Sequence, residues 1–351
     1  MAEMDGQVTI KDIARQLNLS LSTVSRALRN APDVNPETRH AVMELAESLS
    51  YTPSRLALSL KQRQTRTIGV IVPNLDNVLS AMIRGIDEAA LESGYTVMVC
   101  QSNESYGREL ANSKRLLESL VDGVLVSVSS ETKIFDHLQE ILKRKLPMVQ
   151  FDRSSSELKA PIVRVDNVQG GFQATEHLIQ QGYRRIAILA GPKNLGIGKK
   201  RTKGYLDAHK GAKRKVDREL IVHCDFSQES GYWTTLDLLS MKKRPDAIFA
   251  ISDRIAIGAM LAIREKGLQM PGDIGLVGFN NEPTVQLVTP AISSVEMPSF
   301  ELGKLACKLL IEKMQKHGVI PEDHEEILKT RLFIRPSSLR ETMGSNQHQK
   351  S

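Results

Sequence analysis

The sequence predicts an α/β protein: two doubly wound parallel-sheet lobes behind a small three-helix head. Three observations carry this. Four near-continuous apolar runs between residues 66 and 153 recur in the same order between residues 184 and 281. Helical patterns lie between the runs in both copies. The first sixty residues instead hold three short helical patterns and no strand-like run. Continuous apolar runs are what parallel strands buried on both faces require. Their alternation with helices over this length means doubly wound sheets.

Thr9 is a good N-cap, and Asp12 three residues on completes a T-x-x-D capping box. Ile10, Ile13, Ala14 and Leu17 then repeat at helical spacing, and Asn18 tolerates the left-handed turn that must follow. Ser20 or a neighbour caps the next helix, LSLSTVSRALRN (19–30). Ser22, Ser25, Arg26 and Arg29 lie on one face of it, at i, i+3, i+4 and i+7. Val24, Ala27 and Leu28 form the opposite stripe. The polar face contains no acid, which suits a polyanion. Asn35-Pro36-Glu37 starts a third helix with a cap, a proline and an acid in the first turn. Its buried stripe is Val42, Leu45, Ala46 and Leu49. Two short helices joined by a tight turn form a helix-turn-helix pattern, and a fold this small presents its second helix. DNA reading is the favoured use; a protein-docking module is the plain alternative.

Next comes YTPSRLALSLKQRQTRTIGV. Pro53 ends what precedes it, and Ser54 can cap a short helix from Arg55 to about Lys61. Arg55, Lys61, Arg63 and Arg66 make the segment basic, without any acid. Leu56, Leu58 and Leu60 are too few for a core. Such a helix orders on a partner, either a second copy of itself or an unstacked base step.

The repeats follow. RTIGVIVPN (66–74) answers to RRIAILAGP (184–192), and YTVMVCQSN (95–103) to ELIVHCDFS (219–227). VDGVLVSVS (121–129) answers to PDAIFAISD (245–253), and LPMVQFDR (146–153) to DIGLVGFNN (273–281). Helices are expected at 79–93, 109–120, 135–145, 170–181, 201–211, 230–242 and 254–266. Short segments 163–165 and 293–295 read as crossover strands between lobes. The expected organisation is a head at 1–52, a hinge helix and linker at 53–65, and a two-lobe domain at 66–340. Lobe 1 covers about 66–164 and 296–328, and lobe 2 about 165–295 and 329–340. The polar tail 341–351 is expected to be disordered. Ligands of such sheets bind at the carboxyl ends of the strands, where this chain is polar with one aromatic, Phe226.

Bulk properties agree. A chain of 351 residues, 41% apolar and 25% charged, is natural for two or three soluble domains. No apolar run approaches a membrane helix, and MAEMDGQVTI does not read as a signal peptide. Cys100, Cys224 and Cys307 are few and far apart, which points to a reducing cytosol. The net charge of +6 permits a nucleic-acid partner. Catalytic readings fail: GPKNLGIGKK has Ile197 where a phosphate loop needs lysine, and Arg201 where a dinucleotide fingerprint needs its third glycine. No cofactor and no metal are expected, and no enzymatic activity.

With both parts read, the chain resembles the lac-repressor/galactose-repressor family of bacterial transcription regulators. The carriers are VTIKDIARQLNLSLSTVSRAL, ETR at 37–39, YTPS…A…SL at 51–60, TIGVIVPN, RGI at 84–86, VDG at 121–123, FDR at 151–153 and VDN at 165–167. GYRRIAILAGP, R…GY at 201–205, SDRIAIGAMLAI and DIGLVGFNN continue the resemblance to about Ser338. It implies a cytoplasmic homodimer that represses transcription from a near-palindromic operator in double-stranded DNA. A small effector, a sugar or sugar derivative, would bind between lobes similar to those of periplasmic sugar-binding proteins. It further implies that Leu21 and Ser22 set base preference, that Thr23 and Ser25 touch phosphate or base, and that Arg26 reads a guanine. Thr9, Ser20, Arg29, Asn35, Ser54, Arg55, Ala57 and Lys61 complete the DNA set, with Leu60 as a minor-groove leucine paired with its copy. The effector set is Leu79, Ser80, Asp152, Arg153, Leu195, Ile197, Arg201, Phe226, Ser252, Asp253, Asn280, Asn281 and Met297. Asp152 and Asp253 could equally cap helices.

The chain departs from the family pattern at several points. Asn18 replaces a turn glycine, and Arg29 an asparagine. Asn77-Val78-Leu79-Ser80 stands where the family has N-P-F-F. Leu195 and Ile197 fall where relatives place polar groups. Asn280 and Asn281 replace two aspartates, so a sugar-gripping carboxylate is expected to be missing at that place. Lys199 and Lys200, in a basic run from Lys193 to Arg218, flank a pocket loop and admit an anionic effector. The rival readings are a cytosolic small-molecule-binding protein and a sugar or nucleotide enzyme, each with a protein-docking head.

Overall fold

The computed structural model describes residues 8–51, 64–75, 77–193, 195–315 and 320–340. The chain divides into two compact units at Arg66 and Thr67. Residues 53–63, including Ser54, Arg55, Ala57, Leu60 and Lys61, lie outside the described residues, as does the tail 341–351.

The first unit holds α1 (Ile10–Gln16), α2 (Leu21–Leu28) and α3 (Pro36–Ser48). Local chemistry fixes each end. The Thr9 N–H and hydroxyl both donate to Asp12, at 2.9 and 2.7 Å. These bonds hold the Asp12 carboxyl below its ordinary range. Ser20 accepts from the Thr23 N–H and Asn35 from the Glu37 N–H. All three helices stop the same way. Asn18, Asn30 and Ser50 take left-handed φ of +51, +55 and +49°. The next N–H then reaches back to the carbonyls of Ala14, Arg26 and Ala46, the Schellman arrangement. Ile13, Ala14, Val24, Ala27, Val34, Val42 and Ala46 form the core, with Leu28, Leu45 and Leu49 half-buried at its edge.

The second unit carries two six-stranded sheets. In lobe 1, β1 (Thr67–Val72), β2 (Thr96–Gln101), β3 (Gly123–Val126), β4 (Met148–Phe151), β5 (Ile162–Val165) and β11 (Glu325–Leu328) lie in the order β2-β1-β3-β4-β5-β11. All these pairings are parallel. In lobe 2, β6 (Ile186–Leu189), β7 (Ile221–Val222), β8 (Ala247–Ala250), β9 (Gly275–Asn280), β10 (Ser293–Glu296) and β12 (Arg331–Phe333) lie in the order β7-β6-β8-β9-β10-β12. Here β12 runs antiparallel to β10. Both orders place a topological switch point between the first and third strands, where side chains at the carboxyl ends can converge.

The helices of this unit are α4 (Asn77–Glu92), α5 (Tyr106–Glu118), α6 (Asp136–Lys143), α7 (Asn167–Gln180), α8 (Gly196–Gly211), α9 (Gln228–Leu239), α10 (Asp253–Glu265), α11 (Thr284–Leu287) and α12 (Ser299–Gln315). The segments 163–165 and 293–295 are inner strands of their own sheets, and each hands the chain to the other lobe. After β5 comes α7, which packs on α8 and on sheet 2; after β10 comes α12, which packs on α4 and on sheet 1. Glycines let these helices touch backbone to backbone. A Cβ at Gly85 would sit 2.0 Å from the Phe300 carbonyl oxygen, and one at Gly303 would sit 1.9 Å from that of Met82. In lobe 2, Gly171 and Gly204 stand 2.2 and 2.1 Å from the Arg201 and Val168 carbonyl oxygens in the same sense.

Three local expectations need correction. Helix α8 begins at Gly196 rather than near residue 201, because Gly198 lets its first turn approach the Ala190 carbonyl, which lies 2.7 Å from where a Cβ would be. The run 219–227 yields only a two-residue strand, preceded by a 3-10 turn at Arg218–Leu220. It pairs with β6 alone and then leaves to cap α9 through Ser227. Helix α12 was not anticipated.

Candidate DNA-reading face and effector cleft

In the head, α2 turns Val24 and Ala27 inward and leaves Leu21, Ser22, Arg26 and Arg29 exposed, with Thr23 and Ser25 half-buried. Ser20 links the hydroxyls of Ser22 and Thr23 at 2.8 Å each, so three of the expected contacts are pre-ordered at the start of the helix. Thr9 and Asn35 are exposed caps of α1 and α3. The face is not acid-free, however. Asp33, from the turn before α3, accepts from Arg26 Nη1 at 2.9 Å. This pair is half-exposed on both sides.

In the two-lobe unit, strand ends meet around a cavity of about 70 Å³. Lobe 1 contributes Leu79, Asp152 and Arg153; lobe 2 contributes Ile197, Arg201, Phe226, Ser252 and Asn280; Met297 comes from the crossing after β10. The space has room for a few waters. Two arginines account for the tightness. Arg201 is fully buried, donates from Nε to Asn167 at 2.8 Å and from Nη1 to the Ile251 carbonyl, and stacks 3.5 Å above the Phe279 ring. Burial pulls it down to about 9 against the carboxylates of Asp152 and Asp253, so it stays cationic at neutral pH. Arg153 Nη1 donates to both carboxylate oxygens of Glu104 at 2.8 Å, and its guanidinium lies 5.6 Å from the Phe226 ring centroid. Burial alone would raise Glu104, but Arg153 and the Ser130 N–H carry it below the ordinary carboxylate range. The Arg153–Phe226 contact is a cation–π interaction between lobes.

Four expected residues sit elsewhere. Asp253 is completely buried; it accepts from the Glu282 N–H and the Ser294 hydroxyl, both at 2.7 Å. It also fills the space beside Gly278, where a Cβ would be 2.2 Å from its Oδ1. Burial pushes its carboxyl up to about 7. It is an internal strut joining α10 to β9 and β10. Ser80 donates to the Leu75 carbonyl at 3.1 Å. The Asn281 amide is taken by Arg335 at 2.6 Å and Glu296 at 3.4 Å, and its residue lines a neighbouring recess of about 310 Å³. Leu195 lines a lateral chamber of about 420 Å³ that shares Asp152, Arg153 and Ile197 with the central cavity.

Asn74 and Val78, from the first strand end and the loop after it, also line the central cavity, as do Arg254 and Glu282, which sequence reading missed. Glu282 matters most. It supplies a buried carboxylate one residue beyond the pair of asparagines, in the same lining as Asp152. Asn280 and Asn281 hold φ of +113 and +55°, and this irregular backbone carries the chain from β9 to Glu282. A carboxylate two residues past a strand end was the available signal.

A family model described as bacterial regulatory proteins, lacI family, matches residues 9–54. One described as a periplasmic binding protein-like domain matches residues 175–338. The chain belongs to the lacI family of bacterial regulatory proteins: it is a DNA-binding transcription regulator with an effector-binding core, not an enzyme. Catabolite control protein A of Priestia megaterium is 33% identical over 314 residues, covering 89% of this chain and 94% of that protein. The transcriptional repressor CytR of Escherichia coli (strain K12) is 32% identical, covering 94% and 96%. Among solved structures, the lac repressor dimer bound to operator and the anti-inducer ONPF is similar with a TM-score of 0.84 and 25% identity, covering 95% of this chain and 100% of that one. A CelR–cellobiose complex is similar with a TM-score of 0.72 and 28% identity, covering 94% and 100%.

Proposed function

We propose that this chain is a cytoplasmic, homodimeric repressor that reads a near-palindromic operator through Leu21, Ser22 and Arg26 of α2. The supporting observation is the presented, hydroxyl-ordered face of that helix over a packed apolar underside. Thr23, Ser25 and the caps Thr9, Ser20 and Asn35 would contact the backbone, with Arg29 adding charge. Leu60, flanked by Ser54, Arg55, Ala57 and Lys61 outside the described residues, would wedge the central step together with its copy in the second subunit. A small molecule between the lobes would tune operator affinity. The sugar-bound relative supports a carbohydrate-related effector held by Phe226, Asp152, Arg201 and Asn280. Glu282 adds a second carboxylate to that lining.

Selection of bound DNA from a random pool gives the operator on which this is tested. A bidentate arginine–guanine contact is worth about 1–3 kcal/mol of discrimination. Arg26→Ala should therefore weaken operator binding strongly and random-DNA binding little. Equal losses on both would reduce Arg26 to a phosphate contact. Binding without the steep salt dependence of phosphate neutralisation would favour a protein-docking head.

A further inference from the structure

The lateral chamber differs in chemistry from the central cavity. Three lysines line it: Lys133 from the segment after β3 in lobe 1, and Lys199 and Lys200 from the first turn of α8 in lobe 2. None of the three has an ion-pair partner among the described residues; Lys200 feels only more distant charges, Arg164 on one side and the carboxylates of Glu325 and Asp166 on the other. Lys200 is half-buried. Arg153 also borders the chamber, but Glu104 already neutralises it. The opposing acids are Asp152 and Glu157. Asp152 lies near the buried Arg201 and acts on it, and Glu157 is exposed. The remaining wall is a donor-rich serine run, Ser154 to Ser156. Helix α8 adds its positive end: its first turn has no acid and Leu195 gives no side-chain cap. The volume, about 420 Å³, is that of a small-ligand site.

Lysines on opposite lobes repel each other across an empty chamber, and a neutral sugar would leave them unpaired. A dianion between them converts that repulsion into attraction on both sides. We propose that the effector carries a phosphoryl group, seated in the lateral chamber between Lys133 and the Lys199–Lys200 turn, with its uncharged end directed toward Phe226. The anion thereby draws the two lobes together. This rests on the reading of the inter-lobe cleft as the effector site.

The test is calorimetry on the full-length protein. The probes are glucose 6-phosphate, ribose 5-phosphate, nucleoside monophosphates, the unphosphorylated parent of each, and inorganic phosphate. At least one ester should bind about tenfold or more tightly than its parent. The double variant Lys199→Gln, Lys200→Gln should erase that preference. Phe226→Ala should weaken ester and parent alike. Parents binding as well as esters, or a double variant that keeps the preference, would overturn the proposal. So would inorganic phosphate binding as tightly as any ester, which would mark a plain anion site. If a neutral parent binds in a Phe226-dependent way with no preference for its ester, the cleft reading stands and the phosphoryl inference falls. If no probe binds and operator affinity never responds, both fall.

Discussion

On the proposed function Arg26 is the residue on which base reading turns, and in the head it is already engaged by Asp33. An exposed pair of this kind is weak because water and salt screen it. It must still be broken before the guanidinium can fork onto a base, and random DNA does not require that. Asp33→Asn should therefore tighten operator binding a few-fold more than random-DNA binding. In an Arg26→Ala background that extra gain should vanish, which fluorescence anisotropy on the four combinations would check. The residue scale also shows what a linear reading can see. Thr9 with Asp12, and Asn35 with Pro36, were legible because a cap and its partner lie within three residues. Asp33 was not, because its place beside α2 depends on how the turn before α3 folds back. Arg39 holds that turn by donating to the carbonyls of Ala31 and Val34.

At the scale of elements, α10 is joined to β9 and β10 through Asp253, and this has a pH signature. An aspartate pushed up to about 7 in the folded chain, from 3.8, binds a proton there that the unfolded chain releases. Its contribution is fully present below the unfolded value and is lost as pH rises through about 7. Asp253→Asn should remove that slope, so the difference in melting temperature between variant and wild type should shift in the variant's favour from pH 4 to pH 7 and then level off. A constant difference at every pH would mean an aspartate ionised throughout. Lobe 1 has its own buried joint. Glu109 accepts from the N–H and hydroxyl of Ser129, from Thr132 and from His137 at 2.7 to 2.9 Å, tying α5 to α6 and the end of β3. Neither joint is legible as such: the sequence offers Asp253 as a ligand contact or a cap, and Glu109 only as the start of the expected helix 109–120. Burial decides both roles, and burial follows from the sheet order. Helix α12 was legible in principle, since Leu302, Leu305, Ala306, Leu309 and Leu310 keep helical spacing.

At the scale of the molecule, the duplication was the strongest signal in the sequence, because eight apolar runs in matched order leave few alternatives. What it did not disclose is how the copies are interlocked. Each lobe completes its packing with a helix delivered from the other lobe's sheet, α7 on lobe 2 and α12 on lobe 1. Each of those helices seats against its partner through glycine. Gly303→Val would drive a side chain into the Met82 carbonyl, where neither backbone can yield without separating α4 from α12. It should lower stability by about 3 kcal/mol or more, while Gly211→Ala, helical and with open space around it, should change far less. Chemical denaturation of the two variants would separate these outcomes.

The glycine contacts have a consequence for how this chain tolerates change over generations. Gly85 and Gly303 lie at opposite ends of the two-lobe unit in sequence but share one point of contact in space, as Gly171 and Gly204 do. No substitution at one member can be compensated by shrinking the other, since glycine has nothing left to remove. A saturation-mutagenesis survey would therefore find these positions nearly as intolerant of change as the proposed DNA-reading face, although they belong neither to it nor to the lining of the central cavity.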